Sequence, residues 1–437
     1  MSINRRDFLK IAGAAAAGSV ITGALTSCKK PDVEAESVFY STQKPDLSKY
    51  DKYYFVQVNA DKCQKCGTCR KHCPTGIING SETEPYKVLD NAGCVFCGQC
   101  LINCPYGAID EKVSFIDEIF KAAKDADKVV VAMPAPSVRY SLGEPFGMKP
   151  GTHVGGKMDA ALRKLGFDII WDNQFGADLT IMEEGTELIG RITKNENPLP
   201  QFTSCCPAWV KFVESFYPEL IPNLSTSKSP IGMIAPMAKT YGAANRKVDP
   251  AKMYTVGIFP CIAKKFECMR PEMNSSGFQD TDASIDTREL AYMIKKRGID
   301  FLSLNDERPD SLLGESTGAG TIFGVNGGVM EAALRFAYEA VSGQKLNAVD
   351  FTAVRGMDGV RSASVKIPNG PEVKVCVIAG LKNAKPVIDE VKAGKSPYHF
   401  IEVMTCPGGC VNGGGQPLDP EDRLVENFFG KNPLAGS

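Results

Sequence analysis

The chemistry legible in this chain is carried by its cysteines, and their spacing decides which chemistry. Between residues 50 and 112 the pattern C-x2-C-x2-C-x3-C-P occurs twice, at Cys63, Cys66, Cys69, Cys73-Pro74 and at Cys94, Cys97, Cys100, Cys104-Pro105. Two-residue gaps let a short loop offer three thiolates to the corners of one iron–sulfur cubane, while the fourth cysteine, in the helix that follows, reaches the other. The expected 4Fe-4S ligand sets are Cys63, Cys66, Cys69 with Cys104, and Cys94, Cys97, Cys100 with Cys73. Structural zinc closes with four ligands and does not suit two interleaved sets of four. Three further groups follow: Thr203-Ser204-Cys205-Cys206-Pro207-Ala208-Trp209, Pro260-Cys261, and Cys406-Pro407-Gly408-Gly409-Cys410, which runs on through Gly413-Gly414-Gly415-Gln416-Pro417. That last loop has almost no Cβ atoms to hold a bulky group at a distance. Adjacent Cys205 and Cys206 cannot face the same way, so one can ligate metal while the other points elsewhere.

Bulk composition agrees with metal ligation. A chain of 437 residues, 43% hydrophobic, is large enough for two or three ordinary globular domains. Its 16 cysteines sit in a chain able to bury its own core, where disulfide scaffolds are not needed. Three histidines (His72, His153, His399) are too few for a zinc-histidine or haem enzyme, and a net charge of −1 gives no footprint for nucleic acid.

The elements that must position these thiols fall into two regions. Residues 50–112 read as an α+β domain of the bacterial two-cluster ferredoxin type, with Gly67 and Gly98 relieving crowding beside the clusters. Acids and bases balance there, and each oxidised cluster with its thiolates adds a charge of roughly −2, which would steer a basic redox partner. From residue 113 to about 420 the pattern is α/β in two lobes. Buried strands are expected at 129–133, 254–259, 373–378 and 400–404, and helices at 156–165, 286–297 and 329–341, the second capped by Asp286 with Glu289. Three strands end at Pro134-Ala135-Pro136-Ser137, Pro260-Cys261 and Thr405-Cys406-Pro407, and ligands in open α/β sheets sit outside such carboxyl ends.

At the N-terminus, Asn4-Arg5-Arg6-Asp7-Phe8-Leu9-Lys10 precedes a soft Ala/Gly-rich run too short to span a membrane, the pattern of a twin-arginine export signal. Leu25-Thr26-Ser27-Cys28 reads as a lipobox, which would make Cys28 a lipid anchor; residues 29–49 form a polar leader and 421–437 a tail.

With these motifs in order, the chain resembles the FeFe hydrogenases over nearly everything from Tyr53 to Pro417. The three signatures stand as Thr203 to Trp209, Pro260-Cys-Ile-Ala-Lys-Lys-Phe-Glu267, and Glu402 to Pro417. The resemblance implies an H-cluster: a third 4Fe-4S cluster on Cys206, Cys261, Cys406 and Cys410, with Cys410 bridging to a diiron unit that carries CO, cyanide and an azadithiolate. It further implies that Lys264, Pro136 and Ser137 contact cyanide, that Met404 packs at the diiron unit, and that Cys205 relays protons outward through Glu184, Ser225, Glu187 and Arg191. Glu184, Glu187 and Arg191 share one face of a predicted helix. Phe259 and Ile231 depart from the family's usual methionine and glutamine at positions that line the diiron pocket in relatives. Cys268 and Cys376 match no motif and read as core thiols.

The expected activity is H2 ⇌ 2H⁺ + 2e⁻ in an exported, periplasmic catalytic subunit, favouring uptake. Electrons would leave through the clusters to a c-type cytochrome or ferredoxin, and the early end of the chain suggests a separate small subunit. A low-turnover H2 sensor would carry a signalling domain and altered relay residues. An iron–sulfur assembly protein would lack the glycine-rich motif and the export signal.

Overall fold

The structure is a computed structural model that describes residues 55–88, 93–344, 359–368 and 370–417. The export signal, Cys28, the leader and the tail lie outside the described residues, as does the strip 89–92. No helix among the described residues is long and apolar enough to cross a membrane.

The cysteine-rich N-terminal region builds two small sheets. Strand β1 (Val56–Val58) pairs antiparallel with β4 (Ile109–Glu111), and β2 (Ile78–Asn79) with β3 (Lys87–Val88). Helices α1 (Thr68–His72) and α2 (Gln99–Ile102) each start from a left-handed glycine, Gly67 at φ 74° and Gly98 at φ 70°. One detail differs from expectation. The third cysteine of each run, Cys69 or Cys100, lies on the short helix, whereas Cys73 caps the end of α1 and Cys104 falls beyond α2. Pro74 and Pro105 explain this, because the residue before a proline is pushed out of the helical region.

The remainder contains β5 (Val129–Pro134), β6 (Ile169–Ile170), β7 (Gln201–Phe202), β8 (Met253–Phe259), β9 (Ala283–Asp286), β10 (Val360–Lys366), β11 (Glu372–Ala379) and β12 (Phe400–Met404). They form two four-stranded sheets, one per lobe. The first has the order β6-β5-β8-β9 and is wholly parallel. The second has the order β10-β11-β12-β7, with only the edge pair β10-β11 antiparallel. Parallel strands are covered on both faces, which is why the central strands read as continuous apolar runs: Val131, Ala132, Val256 and Ile258 in one lobe, Val375, Val377 and Phe400 in the other, have no exposure.

The covering helices include α3 (Gly155–Leu165), α4 (Asn173–Lys194), α5 (Pro207–Phe216), α6 (Pro230–Met237), α7 (Ala263–Cys268), α8 (Thr287–Lys296) and α9 (Gly328–Ser342). The expected capping box is present at α8: the Asp286 carboxylate accepts from Glu289 N–H at 2.8 Å and the Glu289 carboxylate from Asp286 N–H at 3.0 Å. At α4, Asp172 accepts from Gln174 N–H at 3.0 Å and is itself gripped by both Arg139 guanidinium nitrogens at 2.9 Å. Glu402 on β12 accepts from Gly327 and Met330 N–H, each at 2.7 Å, and so places a carboxylate on the open amides at the start of α9.

A buried ion network joins the N-terminal region to the first lobe. Glu111, at the end of β4, bonds Lys265 of α7 and Arg288 of α8, the latter at 3.0 Å. Lys265 also bonds Glu289 at 2.7 Å and the Val113 carbonyl at 2.7 Å. Beside it, Phe55 and Phe96 of the N-terminal region meet Phe266 of α7. Removing one partner from a buried charge network leaves the others uncompensated, which costs about 3–5 kcal/mol. Lys265→Met is therefore expected to lower stability by about that much, with Lys265→Met/Glu289→Gln recovering part of the loss. The check is the guanidinium midpoint for bleaching of cluster absorbance.

Candidate active site

Four strand ends, two from each sheet, point into one cavity. From the first lobe, β5 runs into Pro134-Ala135-Pro136-Ser137 and β8 into Pro260-Cys261. From the second, β7 leads through Thr203 to Cys205 and Cys206, and β12 to Thr405, Cys406 and Cys410. Thr203 links the two second-lobe ends, its N–H donating to Ile401 O at 3.0 Å and its hydroxyl accepting from Val403 N–H at 3.2 Å. The cavity measures about 80 Å³, several times the roughly 10–15 Å³ that one water needs. Its lining includes all five of these cysteines together with Pro136, Ser137, Phe259, Lys264 and Met404.

The glycine loop makes this convergence sterically possible. A Cβ on Gly413 would sit 2.1 Å from the Pro260 carbonyl, and one on Gly414 would sit 2.2 Å from the Cys97 carbonyl. Backbone touches backbone there, a separation only glycine permits.

The donor set fits an iron–sulfur centre. Burial pushes the Cys406 thiol far above its ordinary range, with the neighbouring thiol charges of Cys261 and Cys97 adding to it. Burial and then Cys206 push Cys410 up to about 12. Thiols so placed become thiolates only when a metal supplies the compensating charge. One side of the cavity also carries a buried cation. Lys264 is buried, donating to the Glu267 carboxylate at 2.6 Å and to the Cys205 carbonyl at 3.3 Å. Desolvation opposes its charge most strongly, but Glu267 together with Cys261 and Cys268 outweighs that and raises its pKa. Ser137 Oγ and Asn173 Oδ1, both on residues lining the cavity, are buried without a partner among the described residues.

Cys205 is buried on the wall, its thiol raised by burial and then by the charge of Glu184. Glu184 has no exposure; it accepts from Ser204 N–H at 3.4 Å, and its carboxyl is pushed up to about 8 by burial and then by Glu187. Ser225 donates to Glu187 at 3.0 Å, and Arg191 holds the other Glu187 oxygen at 2.6 Å. Arg191 is not the outermost member. It has no exposure and donates to the Pro198 and Leu224 carbonyls at 2.7 Å each, whereas the Glu187 side chain is 13% exposed. The helical period puts Arg191 one turn beyond Glu187 but cannot show that loop carbonyls close over it.

In the N-terminal region a second cavity is lined by Cys73, Cys94, Cys97 and Cys100. Cys69 feels the charges of Cys104, Cys63 and Cys66. Cys97 also lines the main cavity, while Cys66 is exposed. The set containing Cys97 is thus the inner one, an order that ligand spacing does not reveal. Phe259 lines the main cavity with Lys264 Nζ 5.7 Å from its ring centroid. Ile231 does not line it. Pro230 does, and Ile231, one residue further round α6, packs with Ile234 and Ala235 into the first-lobe core. Cys268 and Cys376 are buried away from both cavities.

Comparison with known proteins agrees with this geometry. The domain described as "Iron only hydrogenase large subunit, C-terminal domain" matches residues 128–414, a 4Fe-4S dicluster domain residues 62–109, and a twin-arginine translocation signal residues 2–22. The Periplasmic [Fe] hydrogenase large subunit of Nitratidesulfovibrio vulgaris is 57% identical over 88% of this chain and 92% of its own. The NADP-reducing hydrogenase subunit HndD of Solidesulfovibrio fructosivorans is 46% identical over 82% of this chain, which spans 57% of that longer protein. A solved [FeFe]-hydrogenase from Chlamydomonas reinhardtii superposes with a TM-score of 0.63 at 37% identity, over 72% of this chain and 87% of that one. A domain match across most of the sequence and a relative of this identity place the chain in one family: it belongs to the iron-only, or FeFe, hydrogenases.

Proposed function

We propose that this chain is the catalytic subunit of an exported FeFe hydrogenase that interconverts H2 with two protons and two electrons, working in uptake. The observation that carries the reading is the convergence of Cys206, Cys261, Cys406 and Cys410 on one cavity that also presents Cys205 and Lys264. In this reading the four cysteines would hold the cubane of an H-cluster, and Cys410 would serve its diiron unit as well. Bound there, the cofactor supplies the metal and the amine base between which H2 is split.

The chain's own residues do the rest. Lys264 and the otherwise unpartnered Ser137 hydroxyl are the donors for anionic cyanide ligands, with the Pro136 backbone beside them. Met404 and Phe259 give that side an apolar wall that excludes water. Cys205 Sγ carries the proton between the cavity and Glu184, whose carboxyl is protonated near neutrality and can give one proton as it takes another. Ser225 passes it to Glu187 at the surface, and Arg191 positions Glu187. This intact wiring supports turnover over H2 sensing.

Cys94, Cys97, Cys100 and Cys73 would hold the inner cluster and Cys63, Cys66, Cys69 and Cys104 the outer one, which together would supply the electron route outward. The acceptor is an external carrier such as a c-type cytochrome or ferredoxin. The matched export signal and the periplasmic relative support a periplasmic location. The same relative's designation as a large subunit supports a small-subunit partner. Cys28 is the proposed lipid attachment point.

Infrared spectra of enzyme expressed with the maturation proteins should show CO and cyanide bands; their absence would remove the diiron assignment. Cys205→Ala is expected to keep those bands and lose at least about 10²-fold in turnover, and normal activity would reject the relay. For Glu184, the folded state keeps a proton from the ordinary 4.5 up to about 8, while the unfolded state has already lost it. Stability therefore falls as pH rises through that window and levels off above it. Glu184→Gln should flatten this slope in denaturation curves while turnover drops by about 10²-fold or more.

A further inference from the structure

We infer that Arg288, acting with Glu111 and Lys265, positions the inner cluster for electron exit by clamping the ferredoxin-type region onto the glycine loop of the active site. The inference rests on the function proposed above. Arg288 bridges three segments at once. One nitrogen donates to the carbonyls of Gly414 at 2.7 Å and Gln416 at 2.8 Å. The other donates to Glu111 of β4 at 3.0 Å and to Asp286 at 2.7 Å. Thr287 adds a bond to the Gln416 side chain at 2.8 Å. The segment so held is the one pressed against Cys97 and Gly98, where a Cβ on Gly414 would lie 2.2 Å from Cys97 O and 2.6 Å from Gly98 Cα. Gln99 closes the same seam by donating to Asn412 O at 2.9 Å. One guanidinium therefore ties the strand that ends the ferredoxin-type region to the loop that follows Cys410, with the inner-cluster ligand Cys97 between them.

The carboxylates of Glu111, Asp286 and Glu289 lie within 4.8 Å of one another, the spacing of a cation site, but the chain provides its own cations in Lys265 and Arg288. Buried ion networks are weak stabilisers relative to apolar packing, and their best-attested role is to set register. The contact of Phe55 and Phe96 with Phe266 supplies apolar area but tolerates sliding. The planar fork of Arg288 does not, and lysine cannot reproduce it. Electron tunnelling falls exponentially with separation, so a seam loosened by a fraction of an ångström slows exit without touching the chemistry of H2.

The test compares holoenzyme carrying Arg288→Lys or Glu111→Gln with the unaltered protein. Exchange between H2 and D2O is completed at the active site without electrons leaving, whereas H2-driven reduction of methyl viologen requires exit through the clusters. Both variants are expected to exchange at close to the parent rate and to lose severalfold in viologen reduction. The magnetic coupling of the reduced inner cluster to its neighbours in electron paramagnetic resonance spectra should change as well. Unchanged viologen reduction, or a parallel fall in both reactions with unchanged coupling, would overturn the clamp. Should Arg288→Lys fail to assemble, Glu111→Gln decides alone, since it keeps the size and one acceptor of the native side chain. Absence of exchange in the unaltered enzyme would instead defeat the hydrogenase reading itself.

Discussion

Five cysteine thiols around one largely apolar cavity pose an electrostatic problem that the rest of the structure is arranged to solve. Desolvation holds Cys205, Cys261, Cys406 and Cys410 protonated, and each neighbouring thiolate raises them further. Only a metal centre stabilises four such thiolates together. The surrounding architecture follows from bringing those sulfurs to one place. The parallel strands of two sheets present their carboxyl ends to one cavity, so that Cys261 arrives from one lobe and Cys206, Cys406 and Cys410 from the other. Gly413 and Gly414 are required because the loop bearing Cys410 must lie on the backbones of Pro260 and Cys97.

The same closeness organises charge around the site in two ways. Lys264 faces the cavity and remains cationic there because Glu267 accompanies it. One residue on, Lys265 turns away from the cavity into the seam with the ferredoxin-type region, where it meets Glu111 and Glu289. Consecutive positions on α7 thus face the cavity and the seam with the ferredoxin-type region. The helix can do this because adjacent residues lie about 100° apart around its axis.

The proton side is built differently. It relies on a single long helix, α4, whose N-terminus is fixed by Asp172 and Arg139 and whose inner face carries Glu184 and Glu187 one turn apart. Among the described residues Glu184 is a buried carboxyl without a counter-ion, an arrangement costly for stability that accords with the proposed proton relay. Glu187, partly exposed at the water boundary, accepts hydrogen bonds from Arg191, Ser225 and Thr226.

Local patterns determined much of this. The C-x2-C-x2-C-x3-C-P runs specify two clusters, apolar runs placed the long strands β5, β8, β11 and β12, and the Asp286–Glu289 capping box placed the start of α8, because each of these depends on residues near in sequence. The short strands β6 and β7, two residues each, left no periodic signal to read. Nor could local pattern show that Lys264, Lys265 and Arg191 are buried, since long charged side chains are expected at the surface and only tertiary partners neutralise them. It could not say which ferredoxin cluster faces the active site, nor that Ile231 turns into the core while Pro230 lines the cavity. These are decided by how separate elements dock, through contacts between residues hundreds apart such as Glu111 with Arg288 and Cys97 with Gly414. Ligand chemistry is a short-range property of residue type and spacing. Distance, burial and direction belong to the packed chain, and only the tertiary structure supplied them.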